Sequence, residues 1–262
     1  MPRKRDRAFV VPFDVAADNV SRVIGTRGGS FGGFPQGIVL LILAFVLLQF
    51  ATGRLGIQNE LANPVALIAL AIAFVIAVTF HEFMHAYVAE RLGDATARLL
   101  GRLTLNPLAH LDPLGTVFLV LFRFGWGKPV PVNYSRLQGG RRGGAAVAFA
   151  GPATNFVIAA IFALPLRFGA GNVFGPDYEL ILTYIVYFNV LLGIFNLVPI
   201  PPLDGSNILY AFVPSRVAWN WGQFQQIGPF LLLLIFWATP VAGLLLVQVT
   251  SRVASFLVGA PL

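Results

Sequence analysis

The chain lacks cysteine altogether and is poor in charged residues and histidine. Its 262 residues include no Cys and three His, and 11% are charged while 57% are hydrophobic. Without cysteine, disulfides and thiolate metal sites are both excluded, so any metal must be held by nitrogen and oxygen atoms. The charged fraction is well below the roughly 25% of soluble domains, and the mean hydropathy is +0.77. The composition predicts an integral membrane protein.

The net charge of +7 does not indicate a nucleic-acid partner. The basic residues lie outside the apolar runs, where membrane topology explains them, so we expect membrane lipid around the chain and no nucleic acid. The opening MPRKRDR precedes an apolar piece, AFVVPF, that is too short for a signal peptide. We expect residues 1–35 to form a cytoplasmic N-terminal tail and residues 36–262 a membrane-embedded domain with its core at residues 60–210.

Apolar runs long enough to cross a bilayer dominate the rest of the sequence. A crossing helix needs roughly 17 to 25 residues. The runs that qualify occupy residues 37–53, 64–92, 145–166, 180–205 and 227–249. We expect Gly93 and Asp94 to end the second and Pro240 to bend the last. The pattern predicts an all-α polytopic membrane protein with about five transmembrane helices.

One apolar run, residues 114–126, is too short to cross. It is rich in β-branched and aromatic residues, and Arg123 interrupts it. This composition favours a short membrane-associated strand or a re-entrant segment. Basic residues precede and follow it, so both flanks are expected on the cytoplasmic side, with the N-terminus also cytoplasmic.

The segment TFHEFMHAYV places ionisable groups inside an apolar helix, where they are costly and therefore indicate function. His81 and His85 are four residues apart, so both imidazoles project from one face of a helix and can bind one ion. Glu82 lies beside them, where it can act as a general base on a water molecule. The HExxH pattern therefore predicts a zinc site, whereas a chance match with satisfied core histidines would leave the buried charge without a reason.

A catalytic zinc takes three protein ligands, so a third must come from elsewhere in the chain. The acidic residues Glu90 and Asp94 lie more than a helical turn beyond His85, and we expect them to be solvated helix-end acids. The other candidates are His110, Asp112 and Asp204. We favour Asp204 over His110 because it follows a proline-rich break after a long apolar span, which is typical of backbone that lines a cavity at membrane depth.

Together, HEFMH and the downstream NLVPIPPLDG resemble the site-2 protease family of intramembrane zinc metalloproteases. The intervening LGRLTLNPLAHLDPLGT and GWGKPVPVN resemble its compact prokaryotic branch, without an inserted PDZ or CBS domain. The resemblance implies that Asp204 is the third ligand of one zinc ion and that the chain resides in a prokaryotic cell membrane. It also implies that Asn155, in the pattern Gly151-Pro152-Ala153-Thr154-Asn155, lies near the active site.

These observations predict a zinc metalloendopeptidase acting on peptide bonds in or near transmembrane segments of single-span membrane proteins. Glu82 would be the catalytic base. Asn155, and after it Asn196, are candidates for binding the oxyanion, although an Asn in a membrane helix often serves a helix contact instead. His110 is a candidate for lining the substrate cleft, and residues 114–132 for pairing with an extended substrate.

The alternative is a zinc-binding membrane protein without proteolytic activity, or a transporter. A transporter would be expected to show internal hydropathy repeats and further ligands along a pathway. The chain shows neither, and it has Glu82, which a non-catalytic relative does not need. We therefore favour the enzyme.

Overall fold

The computed structural model describes residues 63–122, 125–218, 220–238 and 240–262. The predicted tail at residues 1–35 and the first predicted span at residues 37–53 lie outside these ranges. Within them the chain is helical and has no strand. The α-helices are, in order, α1 Pro64–Arg91, α2 Thr96–Leu99, α3 Pro113–Phe122, α4 Arg141–Arg167, α5 Ala170–Phe174, α6 Pro176–Asn196, α7 Asp204–Tyr210, α8 Ser215–Ala218, α9 Trp221–Ala238 and α10 Pro240–Val258.

Four helices in the described ranges are long and apolar enough to cross a membrane: Pro64–Arg91, Arg141–Arg167, Pro176–Asn196 and Val241–Val258. They confirm the prediction of an all-α polytopic membrane protein. The last predicted span, residues 227–249, was wrong in its bounds. Instead of one bent helix, the chain has α9 ending at Ala238 and α10 beginning at Pro240, because the fixed φ and missing N–H of proline suit the start of a helix.

Helix α1 has clear start and stop signals. The Asn63 side chain accepts hydrogen bonds from the backbone N–H groups of Val65 and Ala66, and Pro64 occupies the first helical position. The helix ends at Arg91, and Gly93 stops it as predicted, with a φ of +102° that favours glycine. At about 1.5 Å per residue, its 28 residues exceed the thickness of the hydrocarbon core.

The core of the protein is formed by α1, α4 and α6, which pack against one another, with α10 against α4 and α6. One row of α1 residues at intervals of four is buried throughout: Ala69, Ala73, Ala77, His81, His85 and Ala89. Small side chains let the neighbouring helices approach closely. The two histidines therefore continue a tightly packed helix face.

Residues 113–122, for which we predicted a strand or re-entrant segment, form a helix instead of a strand. Asp112 caps α3: its carboxylate accepts from the Gly115 N–H, and its carbonyl accepts from the Thr116 N–H. With Pro113 following, this local signal outweighs the β propensity of the side chains. An antiparallel bridge joins Leu111 to Gly127, so the segment returns to where it began. The expectation that it does not cross therefore agrees with its geometry.

The helical structure is interrupted between α6 and α7, as the proline-rich sequence predicts. Residues 197–203 form turns, and Asp204 is the first residue of α7. A side chain at Gly205 would meet the Leu197 and Val198 carbonyl oxygens at 2.3 and 2.5 Å. This close approach folds α7 back onto the end of α6, and α7 packs against α4. The break thereby carries Asp204 to the core helices.

Candidate metal centre

His81, His85 and Asp204 come together at the packed face of α1. The Asp204 Oδ2 atom lies 3.0 Å from the Nε2 atom of His81 and 3.2 Å from that of His85. Among the described residues, these three form the one group of His, Asp and Glu side chains whose ligand atoms converge within 4.8 Å. The structure thus brings Asp204, and not His110, to the histidine pair.

The ring of His81 is oriented by a buried chain of amide hydrogen bonds. The Asn155 Nδ2 group donates to the Ala77 carbonyl at 3.1 Å and to Asn189 Oδ1 at 2.9 Å. Its Oδ1 atom therefore accepts from His81 Nδ1 at 2.6 Å, and Asn189 in turn donates to the Ile185 carbonyl. A hydrogen on Nδ1 leaves the Nε2 lone pair of a neutral ring free for a metal.

The ring of His85 is oriented in the same way by a backbone group. His85 Nδ1 lies 2.7 Å from the Val147 carbonyl oxygen on α4. A carbonyl can only accept, so Nδ1 carries the hydrogen and Nε2 again presents a lone pair. No side-chain pattern could have revealed this partner, because any residue at position 147 would supply the same carbonyl.

The arrangement fits a zinc ion. The Asp204 Oδ2 atom is buried, has no hydrogen-bond donor and faces the two Nε2 atoms. Three converging lone pairs repel one another unless a cation lies between them. For a tetrahedral ion with bonds of about 2.0 to 2.1 Å, ligand atoms are separated by roughly 3.3 Å, close to the 3.0 and 3.2 Å measured here.

Helix α4 approaches this centre through Gly151. A Cβ atom added at Gly151 would lie 2.5 Å from His85 Nε2 and 2.7 Å from His81 Cε1. Any side chain there would occupy the space that the two rings need. Gly151 and Asn155 are one helical turn apart, so glycine admits the rings and asparagine binds the back of one of them.

Glu82 is half-buried beside the histidine pair. Its Oε2 atom accepts a hydrogen bond from the Val130 backbone N–H at 2.8 Å. This contact, between α1 and an irregular segment 48 residues later, had no signal in the sequence.

The other predicted site residues, Asn155, Asn196 and His110, are hydrogen-bonded to other groups of the protein. Both Asn155 amide hydrogens are engaged, so in this arrangement it contacts a predicted ligand and has no hydrogen to donate to an oxyanion. Asn196 donates to the Leu192 carbonyl of its own helix. His110 is fully buried, and its Nε2 atom bonds the Thr104 carbonyl at 2.7 Å.

The expectation for Asp94 was wrong, while Glu90 is a helix-end acid as predicted. Glu90 pairs with the exposed Arg98. Asp94 is fully buried instead of solvated, and it accepts hydrogen bonds from Thr96 and from the Asn133 backbone N–H. Burial is possible because backbone donors satisfy the carboxylate.

Tyr134 lies within electrostatic range of the centre. The Tyr134 ring packs against Gly144 of α4: a Cβ atom added at Gly144 would lie 3.0 Å from the ring. Desolvation of the phenol, and after it the negative charge of Asp204, raise the pKa of Tyr134 to about 12, although the residue as a whole is 39% exposed. The phenol is therefore protonated at neutral pH and can donate a hydrogen bond.

Comparison with known proteins identifies the family. The profile of peptidase family M50 matches residues 172–239, which include Asp204. YwhC of Bacillus subtilis, described by name as a candidate zinc metalloprotease, is 38% identical over 183 residues, covering 68% of this chain and 83% of that protein. This chain belongs to peptidase family M50. It is a membrane-embedded zinc metalloprotease.

More distant relatives are also named as zinc metalloproteases. Rip2 of Mycolicibacterium smegmatis, also a candidate zinc metalloprotease by name, is 28% identical over 245 residues, covering 86% of this chain and 91% of that protein. Zinc metalloprotease MJ0392 of Methanocaldococcus jannaschii is 27% identical over 176 residues, which is 67% of this chain and 42% of that protein. No solved structure matches the chain significantly.

Proposed function

We propose that this M50 peptidase hydrolyses peptide bonds in or near the transmembrane segments of single-span membrane proteins, using one zinc ion bound by His81, His85 and Asp204. The observation that carries the proposal is the position of the centre. Both histidines lie on α1, a helix long and apolar enough to cross the bilayer, and they are buried against neighbouring apolar helices. A bond presented there is close to the hydrocarbon core.

The residues around the centre support hydrolysis. When bound, zinc supplies a Lewis acid that polarises the peptide carbonyl and acidifies water. Glu82 takes the proton of the attacking water and transfers it to the leaving amine, as a general base and then a general acid. The hydrogen bonds from Asn155 and Val147 keep both imidazoles facing Asp204.

Peptide bonds in a substrate helix are already hydrogen-bonded, so the substrate must unwind locally before cleavage. An extended segment of this chain, residues 127–133, lies next to Glu82. The Val132 backbone N–H makes no hydrogen bond to any described residue, so it remains available to an extended peptide. Because residues 113–122 are helical, this shorter segment replaces the predicted 114–132 as the edge for strand addition.

The distribution of charge supports a cytoplasmic active site. The end of α1 and the approach to α4 are joined by a hydrogen bond from the Gln138 N–H to the Leu92 carbonyl. This end of the bundle carries Arg91, Arg136, Arg141 and Arg142. Basic residues concentrate on the cytoplasmic side of membranes, so we place this end, and with it the centre, towards the cytoplasm of a prokaryotic cell membrane.

The test is cleavage of a panel of single-span membrane proteins by purified enzyme in detergent, with zinc measured in each sample. We expect Glu82→Gln to abolish cleavage and to retain about one zinc per chain, since the three ligands remain. Retained zinc without cleavage of any panel member by the wild-type enzyme would instead favour a non-proteolytic zinc-binding membrane protein.

A further inference from the structure

Residues 127–133 form an extended segment, called here the strap, that contacts Glu82 through one backbone group. The Val130 N–H donates to Glu82 Oε2 at 2.8 Å. The neighbours Pro129 and Pro131 have no N–H. Between Lys128 and Val132, Val130 is thus the only residue whose amide can reach the carboxylate.

The first half of the strap is fixed to the loop that follows α2. The Lys128 N–H donates to the His110 carbonyl at 2.7 Å, beside the bridge between Leu111 and Gly127. The Arg102 guanidinium donates to the Lys128 carbonyl at 2.6 Å and to the Pro129 carbonyl at 3.3 Å. These bonds hold the strap immediately before Val130.

The far end of the strap is fixed by Asp94. Its Oδ2 atom accepts from the Asn133 N–H at 2.6 Å, and its Oδ1 atom accepts from the Thr96 N–H at 3.1 Å and from the Thr96 hydroxyl. The Asp94 carboxylate is fully buried. A charge-assisted bond in a buried site is stronger than a neutral one and fixes geometry. The strap therefore has an anchor on each side of Val130.

We propose that Asp94 is a positioning residue for catalysis: it holds the strap so that the Val130 N–H fixes the carboxylate of Glu82 against the centre. This inference rests on the proposed role of Glu82 as the general base. The Val130 N–H bonds Oε2, so we assign the uptake of the proton to the other carboxylate oxygen, Oε1. A base that is already held in one orientation loses less conformational entropy on reaching the transition state.

The contact to Glu82 can be tested by removing the N–H itself. Val130→Pro deletes the donor, whereas Val130→Ala keeps it and changes only the side chain. Val132→Pro is the matched proline variant, since it deletes a neighbouring N–H that has no partner among the described residues and does not contact Glu82. We expect Val130→Pro to lower kcat by about 10- to 100-fold with KM and zinc content retained, and Val130→Ala to stay within about 3-fold of wild type. Val132→Pro should instead raise KM with kcat retained, because its N–H is the one proposed to pair with an extended substrate.

The role of Asp94 is tested by combining variants. Asp94→Asn keeps the shape but turns one acceptor into a donor facing an N–H, and we expect about a 10-fold loss of kcat. If Asp94 acts through the strap, adding Asp94→Asn to Val130→Pro causes less than about a 2-fold further loss. Glu90→Gln is the control, because it neutralises an acid at the same helix end that has no contact with the strap.

A readout independent of activity follows from the lack of cysteine. A thiol introduced by Val132→Cys, on a half-buried residue, is the only one in the chain. We expect a soluble maleimide to label it at least about 3-fold faster when Asp94→Asn is added.

Several results would overturn the inference while leaving the proposed function intact. One is an unchanged or raised kcat in Val130→Pro when Glu82→Gln is inactive; a raised kcat would mean that the strap restrains the base. Another is a double variant whose losses multiply, which would make Asp94 structural. A wild-type enzyme that cleaves nothing would instead overturn the proposed function.

Discussion

Replacing Gly151 with alanine should weaken zinc binding without weakening the fold. The added Cβ atom would lie 2.5 Å from His85 Nε2, 2.6 Å from His85 Cε1 and 2.7 Å from His81 Cε1. Ordinary contacts between such atoms are about 3.5 to 4.0 Å, so the rings or α4 must move by about 1 Å. Without an ion each ring is held at Nδ1 alone, by Asn155 or Val147, and can tilt about that bond, whereas a bound zinc would also fix Nε2. The strain therefore falls mainly on the zinc-bound state.

The size of the effect follows from this difference between the two states. Overpacking of this kind costs about 1 to 3 kcal/mol, which corresponds to zinc binding weakened by about 5- to 140-fold. Alanine in place of glycine inside a helix also stabilises by about 0.5 to 1 kcal/mol. That gain applies with and without zinc, so it does not restore the affinity. The metal-free protein should unfold at about the same temperature as wild type or slightly higher.

The assay is competition for zinc against a chelator of known affinity, with thermal unfolding of the metal-free protein measured alongside. Gly243→Ala on α10 is the matched control, because a Cβ there meets no atom of a described residue within 4 Å. Wild-type zinc affinity in Gly151→Ala would refute the close approach of α4 to the imidazoles. A large loss of metal-free stability would show that the strain does not depend on the ion.

Three further predictions concern the residues around the centre. Asp204→Ala removes one of three ligands, so zinc should be lost on dialysis. The control, Asp177→Ala at the start of α6, should retain zinc. Retained zinc in Asp204→Ala would contradict the ligand set. Asn155→Leu deletes the acceptor for His81 Nδ1 and should lower zinc affinity by about 10- to 100-fold, measured by chelator competition; an unchanged affinity would argue against the orienting role. His110→Phe should keep full zinc content but lose about 0.5 to 1.5 kcal/mol of unfolding free energy with its bond to Thr104; loss of zinc would restore His110 as a ligand candidate.

Much of the fold could be predicted because it depends on local sequence. The length of an apolar run sets whether a helix can cross, and α1 and α4 follow the predicted spans closely. The span predicted at residues 180–205 was wrong at its end, because α6 stops at Asn196, before the proline-rich turn. The errors occurred where two local signals compete. At residues 113–122 the capping Asp112 outweighs β-branched side chains, and at Pro240 a residue that can bend a helix begins one instead.

The buried polar residues were harder to predict, because burial depends on partners that are distant in sequence. From the sequence, Asp94 is expected to be a solvated helix-end acid. In the structure it is buried, because the backbone N–H of Asn133, 39 residues later, donates to it. From the sequence, Asn155 is a candidate oxyanion donor. In the structure both of its amide hydrogens are donated to Ala77 and Asn189 on other helices. An amide or carboxylate can serve many purposes, and only its neighbours decide which.

The sequence by itself determined that this is a membrane protein, and that His81 and His85 share one face of α1 with Glu82 beside them. Both follow from local physics, namely hydrocarbon thickness and the helical repeat. The tertiary structure alone decided that Asp204 joins the histidines while His110 bonds Thr104. It also decided that a bare glycine lets α4 reach the rings, and that a backbone N–H at Val130 contacts the carboxylate. These contacts join segments far apart in the chain, and backbone groups, which every residue carries, leave no mark in the sequence.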